Sequence, residues 1–194
     1  MSEKGKNVIE MTRQMEKLFN EVAQFIKTFD KILTEYNYEN IDKSSSVSNG
    51  QSTSLESSQY WLMLWMYHNY LNKNVKNEIL GLNIVLDNPD QDEKMRIEEP
   101  MVAVSVIKFG SDYNDDWEPW DPYCIYFYSD PLPKEINKVY AYNDLRLDTE
   151  KMKSEREKLY DKKNILDLKF IAIPLMEFEN RNDIRNKLIK ILLK

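Results

Sequence analysis

The chain has 194 residues, of which 42% are apolar, 31% charged and 12% aromatic, so it can bury about 70% of its unfolded surface and is globular rather than disordered. A single cysteine and a single histidine exclude an internal disulfide, a zinc finger and a His-rich metal site, and four glycines leave no Walker or Rossmann phosphate loop. The net charge of -6, with lysine far outnumbering arginine, argues against a nucleic-acid coat and makes nucleic acid an unexpected partner.

The N-terminal sequence MSEKGKNVIEMTRQ has no apolar run of signal-peptide length, and the longest apolar stretch, residues 60–67, falls well short of the ~18 residues a membrane span needs. With Cys124 unpaired, a cytoplasmic location and no membrane partner are expected. Val8, Met11, Met15, Leu18, Val22, Phe25, Phe29, Ile32 and Tyr36 recur at alternating spacings of three and four, an a/d pattern that predicts a helix over 6–36. Phe19, Ile26 and Leu33 add a column at e and widen the stripe beyond a two-stranded seam. Such a helix packs on its own domain or associates with a copy of itself. In the second case the contacts would be Met11, Met15, Leu18, Val22, Phe25, Phe29 and Ile32.

Residues 42–58 hold eight serines with Asn49 and Gly50, the composition of a flexible linker. In the following SSQYWLMLWMYHNYL, Ser57 or Ser58 as N-cap predicts a second helix to about 71, apolar nearly all round, with Trp61, Leu64, Trp65 and His68 on one face. Beyond 79 the period changes. Leu80, Leu82, Ile84 and Leu86 alternate as in a half-buried strand, and a turn is expected at 87–90. MVAVSVIKF (101–109), YCIYFY (123–128), 139–142 and ILDLKFIAIPL (165–175) read as further strands. Residues 148–163 alternate lysines with acids, as in an exposed helix laced with ion pairs, and Asn182 is expected to cap a final helix through Ile184, Leu188, Ile191 and Leu192. The expected class is α+β: a five-stranded, mainly antiparallel sheet with helices packed on one face, preceded by a long amphipathic N-terminal helix. The expected layout is helix 1–41, linker 42–58 and α+β domain 59–194, with the N-terminal helix packed on that domain if they form one body.

Three constellations bear on chemistry. In DYNDDWEPWD (112–121), Asp112, Asn114, Asp116 and Glu118 alternate like the start of a calcium loop, but Trp117 stands where the tight turn wants glycine and Tyr123 where a bidentate glutamate is expected. The loop reads better as an acidic, aromatic contact surface: Asp112, Asp115, Asp116, Glu118 and Asp121 around Trp117 and Trp120. Asp167-Leu168-Lys169 has the acid-x-lysine form of a Mg²⁺-dependent nuclease strand, with Asp87, Asp144 and Asp148 as candidate partners. The same triplet is also ordinary on a solvated strand face. His68 and Cys124 would make a nucleophile–base pair, but both lie in apolar segments where they are ordinary core residues.

No catalytic set stands out. The expectation is a non-enzymatic protein-interaction module of the inhibitor or immunity type, with the acidic loop meeting a basic partner surface and the N-terminal helix supporting homo-oligomers. No cofactor is expected; calcium at the loop and magnesium at Asp167 are the alternatives the spacing allows. A hydrolase using Asp167 and Lys169 is one alternative function, and a small-ligand-binding sheet lined by Tyr123, Tyr126 and Tyr128 is another.

Overall fold

The structure is a computed structural model that describes residues 2–41, 48–49, 56, 63–87, 97–110, 129–130, 135, 138–141, 144, 146–147 and 165–193. The first element is helix α1, Glu3–Glu35, opened by the Ser2 side chain, which accepts a bond from the Gly5 N–H. Its end is sharp. The Tyr36 and Asn37 N–H groups bond back to the Leu33 and Thr34 carbonyls, and Asn37 adopts φ 65°, a left-handed conformation that asparagine tolerates. That residue turns the chain directly into β1, Tyr38–Asn40.

The sheet continues with β2 (Ser48–Asn49), β3 (Trp65–Asn72), β4 (Glu78–Val85) and β5 (Met101–Phe109). After β6 (Ser129–Asp130) come β7 (Tyr140–Ala141), β8 (Arg146–Leu147) and β9 (Ile165–Pro174). The strand path is β1-β3-β4-β5-β9-β7, antiparallel throughout, and β2 also pairs with β3. β6 and β8 form a separate two-stranded ladder. The α+β class and the long N-terminal helix are as expected. The main sheet exceeds five strands because β3 stands where the sequence predicts a helix and β1 and β2 are edge pieces too short to show any periodicity; the strand expected at 123–128 lies outside the described residues.

The helix expected up to residue 71 is overturned over its described part, where residues 65–72 form β3, at the heart of the antiparallel ladder. An apolar run with no polar face fits a strand buried on both sides as well as a buried helix, and its tyrosines and tryptophans favour the pleated surface. Met66, His68 and Tyr70 point to the helix-covered face, with Asn69 buried on the other. Asn72 then closes the strand: its Oδ1 accepts from the Asn74 and Val75 N–H groups, an Asx turn that returns the chain into β4.

After a 3₁₀ turn at Leu175–Glu177, the last helix, α2 (residues 181–192), starts as Arg181–Ile184, widens to a π-turn at Arg185–Ile189 and closes as Lys190–Leu192. Its cap is Asn180 rather than Asn182. The Asn180 side chain accepts from the Asn182 and Asp183 N–H groups while Asp183 accepts from the Asn180 N–H, a reciprocal box that only the Asn180–Asp183 spacing permits.

Both helices lie on one face of the sheet. Val22, Phe25, Ile26, Phe29, Ile32 and Leu33 of α1, with Ile184, Leu188, Ile189 and Leu192 of α2, pack on Tyr70, Leu80, Leu82, Ile84, Val102, Val104, Ile171 and Ile173. The other face is buried too, at Ile79, Val85, Ala103, Ile107, Leu168, Phe170 and Ala172, which is why β5 reads as an unbroken apolar run. Glu35 ties α1 to α2 by accepting from Arg181 and Arg185; all three side chains are part-exposed, so these pairs stabilise by at most about 1 kcal/mol each. Among the described residues no helix is long and apolar enough to cross a membrane.

Candidate functional site

On the helix-covered face β3, β4, β5 and β9 carry largely apolar columns, and at one end of the sheet these stop in polar residues. The register sets Tyr38 opposite Asn72, Glu78 opposite Lys108, and Lys108 opposite Asp167. Asn72 joins the row by donating from Nδ2 to Glu78 Oε1 at 2.7 Å. Lys169 lies diagonally from Lys108, roughly 7 Å away. Above this row both helices end. Tyr36, Leu192 and Leu193 line, with the row, a crevice of about 350 Å³.

Tyr38 is almost wholly buried, 2% exposed, and donates its hydroxyl to Glu78 Oε1 at 2.5 Å. Burial first, then the hydrogen bond to Glu78 and its charge, hold the phenol far above its ordinary range, so it is a donor and not an anion at any ordinary pH. Glu78 is thus held by two donors on one oxygen, while Oε2 has no partner among the described residues. Among the described residues Asp167 accepts only its neighbour's Leu168 N–H, at 2.9 Å, and Lys169 reaches only the Leu192 carbonyl, at 3.4 Å. Lys108 and Asp167 are exposed and face each other in the ladder, yet among the described residues none of Glu78, Lys108, Asp167 and Lys169 is in an ion pair.

Asp167 and Lys169 therefore share one face and one crevice, as their spacing predicts. Their expected acidic partners do not join them. Asp87 follows the opposite end of β4, roughly 30 Å from Glu78 along the strand direction. Asp144 accepts from the Ala141 N–H beyond β7, at 2.9 Å, and Asp148 lies outside the described residues. Glu78, the acid that does reach the crevice, stands two strands from Asp167, about 10 Å at the backbone, with Lys108 between them. Among the described residues no group of three potential ligands could hold a metal ion.

The acidic loop residues Asp112, Asp115, Asp116, Trp117, Glu118, Trp120 and Asp121 lie outside the described residues, as do Cys124 and the tyrosines 123, 126 and 128. His68 belongs instead to a buried network. Tyr70 donates to Asp30 Oδ1 at 2.6 Å, and the His68 Nδ1 lies 3.3 Å from both the Tyr70 hydroxyl and Asn40 Nδ2. Burial, then the charge and hydrogen bond of Asp30, hold the Tyr70 phenol well above its ordinary range. The network fastens α1 to β3 and β1 beneath the surface.

The helix residues divide. Val22, Phe25, Phe29 and Ile32 are packed on the sheet of their own chain, so they have no face left for a second chain. Leu18 touches the edge of that core, while Val8 and Met11 stand 63% and 64% exposed. A groove of about 680 Å³ runs beside this region, lined on α1 from Arg13 to Thr28 and on the other side by Phe178, Arg181 and Ile184. No family model matches the chain, and neither a curated protein nor a solved structure matches it.

Proposed function

We propose that the chain is a non-enzymatic interaction module that associates with a second copy of itself through the projecting half of α1. The observation that carries this reading is the mismatch between stripe and sheet. The a/d pattern begins at Val8, but burial begins only at Val22, so Val8, Ile9 and Met11 offer apolar surface on a rod whose other half is anchored. An already ordered rod loses little further freedom on docking. The e and g positions beside the stripe as far as Phe19, namely Asn7, Thr12, Gln14 and Phe19, carry no charge, so two copies meet over that stretch without like-charge opposition; the next g position is Glu21, just before burial begins. Lys6, Glu10, Arg13, Glu16 and Lys17 fall on the outward positions.

Sedimentation equilibrium at high micromolar concentration is expected to find a dimer or higher species. The double substitution Val8→Glu and Met11→Glu is expected to return it to a monomer with folding stability within about 0.5 kcal/mol of the parent, since both side chains are exposed. A parent chain that stays monomeric, or a variant that still associates, overturns the proposal.

The second contact of the module is the loop at 112–121, whose carboxylates and tryptophans suit a basic protein surface of the kind an inhibitor or immunity protein meets in the cytoplasm. Replacing Trp117 and Trp120 with alanine is expected to leave the melting temperature within about 2 °C, because the rings serve a partner and not the core. A fall of many degrees would remove the loop from the proposal.

A further inference from the structure

We propose that the crevice at the end of the helix-covered face binds a small zwitterion of the size and charge pattern of an α-amino acid or a dipeptide. Its ammonium would sit at Glu78 beneath the C-terminal end of α1, and its carboxylate at Lys108 and Lys169. Four charged side chains stand on adjacent strands with a net charge of zero and no ion pair among themselves. Opposite charges placed side by side on a sheet ordinarily pair. Here two of the four are held by other partners. Glu78 is fixed by Tyr38 and Asn72, which load Oε1 and leave Oε2 open, and Lys169 is drawn toward the Leu192 carbonyl.

The polarity of the site comes from the helices. Both end here, and the C-terminal end of a helix carries roughly half a negative charge. α1 has no basic residue in its last turn, so its terminal carbonyls add to the Glu78 carboxylate rather than being offset. At α2, Lys169 answers the carbonyl of Leu192. The Glu78 side of the crevice therefore favours a cation; on the other side, about one strand spacing of 4.8 Å away, Asp167 and the end of α2 offset part of the Lys108 and Lys169 charges and leave the net positive charge that favours an anion. A volume of about 350 Å³ is at the small end of ligand pockets, which limits the occupant to a molecule of this size. The buried Tyr38 hydroxyl, already committed to Glu78, positions the acid and does not touch the ligand.

The test is a titration of the full chain, followed by amide NMR shifts, with each of the common α-amino acids and with glycylglycine. The expected result is saturable shifts at residues 36–38, 72, 78, 108 and 167–169 with at least one of these probes. Blocking that probe as its N-acetyl or its amide form is expected to weaken binding about tenfold or more, because each block removes one charge-assisted contact. Lys108→Met, at an exposed position that leaves the fold intact, is expected to do the same, as is Glu78→Gln. Failure of every probe to shift these amides overturns the proposal, and so does equal binding of a blocked form or survival of binding in Lys108→Met. Binding of the amide alone would reassign the crevice to cations, and of the N-acetyl form alone to anions. The outcome is independent of whether α1 self-associates.

Discussion

Phe29→Ala is expected to destabilise the chain by about 3–5 kcal/mol and to lower its melting temperature by roughly 6–20 °C. Phe29 is fully buried, and its ring lies 5.7 Å from that of Tyr70 and 6.2 Å from that of Phe25. Phe25 in turn meets Phe178 edge-on at 5.3 Å, so one aromatic chain joins α1 to the sheet and to the turn before α2. Truncation at the middle of that chain removes the transfer energy of the ring and leaves a cavity that flanking strands, fixed by their ladder, cannot close. Urea unfolding should show the loss as a lower midpoint with an unchanged slope. The same helix gives the control. Met11→Ala, at an exposed position on the same stripe, should change stability by no more than about 0.5 kcal/mol. A loss below about 1 kcal/mol for Phe29→Ala would mean that α1 does not pack on the sheet.

That contrast also shows how far the sequence could be read. The a/d pattern of α1 is uniform from Val8 onward, yet burial starts at Val22, because what ends there is the sheet beneath the helix and not any feature of the helix itself. β5 was legible because a β-branched run buried on both faces has no other common reading. β3 was not, since an apolar run with no polar face leaves helix and strand open by periodicity, and the aromatic preference for strands is too weak to settle it; its pairing with β4 from Trp65 to Leu71 decides the matter. The crevice was half legible. Alternation alone puts Asp167 and Lys169 on one face. Glu78 and Lys108 come to them only through register between distant strands. A signal was present nonetheless: Glu78 and Lys108 each end an apolar alternating column, while Asn72 and Asp167 end columns that also hold His68 and Lys169, and all four endings fall at the same end of the sheet.

Alkaline pH is expected to unfold this chain through two phenols. Tyr38 and Tyr70 are both buried and both donate to a carboxylate, Glu78 and Asp30, and each is held above the ordinary value of 10.0. Above pH 10 the unfolded chain releases these two protons while the folded chain keeps them. The stability they confer is therefore complete below about pH 10 and declines as pH rises past it, by about 1.4 kcal/mol per pH unit for each tyrosine and about 2.7 for the two. The loss thus accumulates over the alkaline range in which both phenols stay protonated in the folded chain, against an ordinary domain stability of about 5–15 kcal/mol. Tyr38→Phe leaves Glu78 with Asn72 as its one donor and Tyr70→Phe removes the phenol donor of the part-exposed Asp30, so each should cost about 1–3 kcal/mol at neutral pH, yet each should roughly halve the slope above pH 10. The doubly substituted chain should lose both contributions, leaving a profile much flatter than that of the parent. Lys138 and Lys187, also held above their ordinary value by bonds to Glu135 and Glu177, lie at the surface within reach of water and do not add to the slope in any comparable measure. Urea midpoints measured from pH 8 to 11.5 in the four chains decide it. A parent slope that the two substitutions leave intact would place the alkaline transition elsewhere and would mean that neither phenol is buried as a donor.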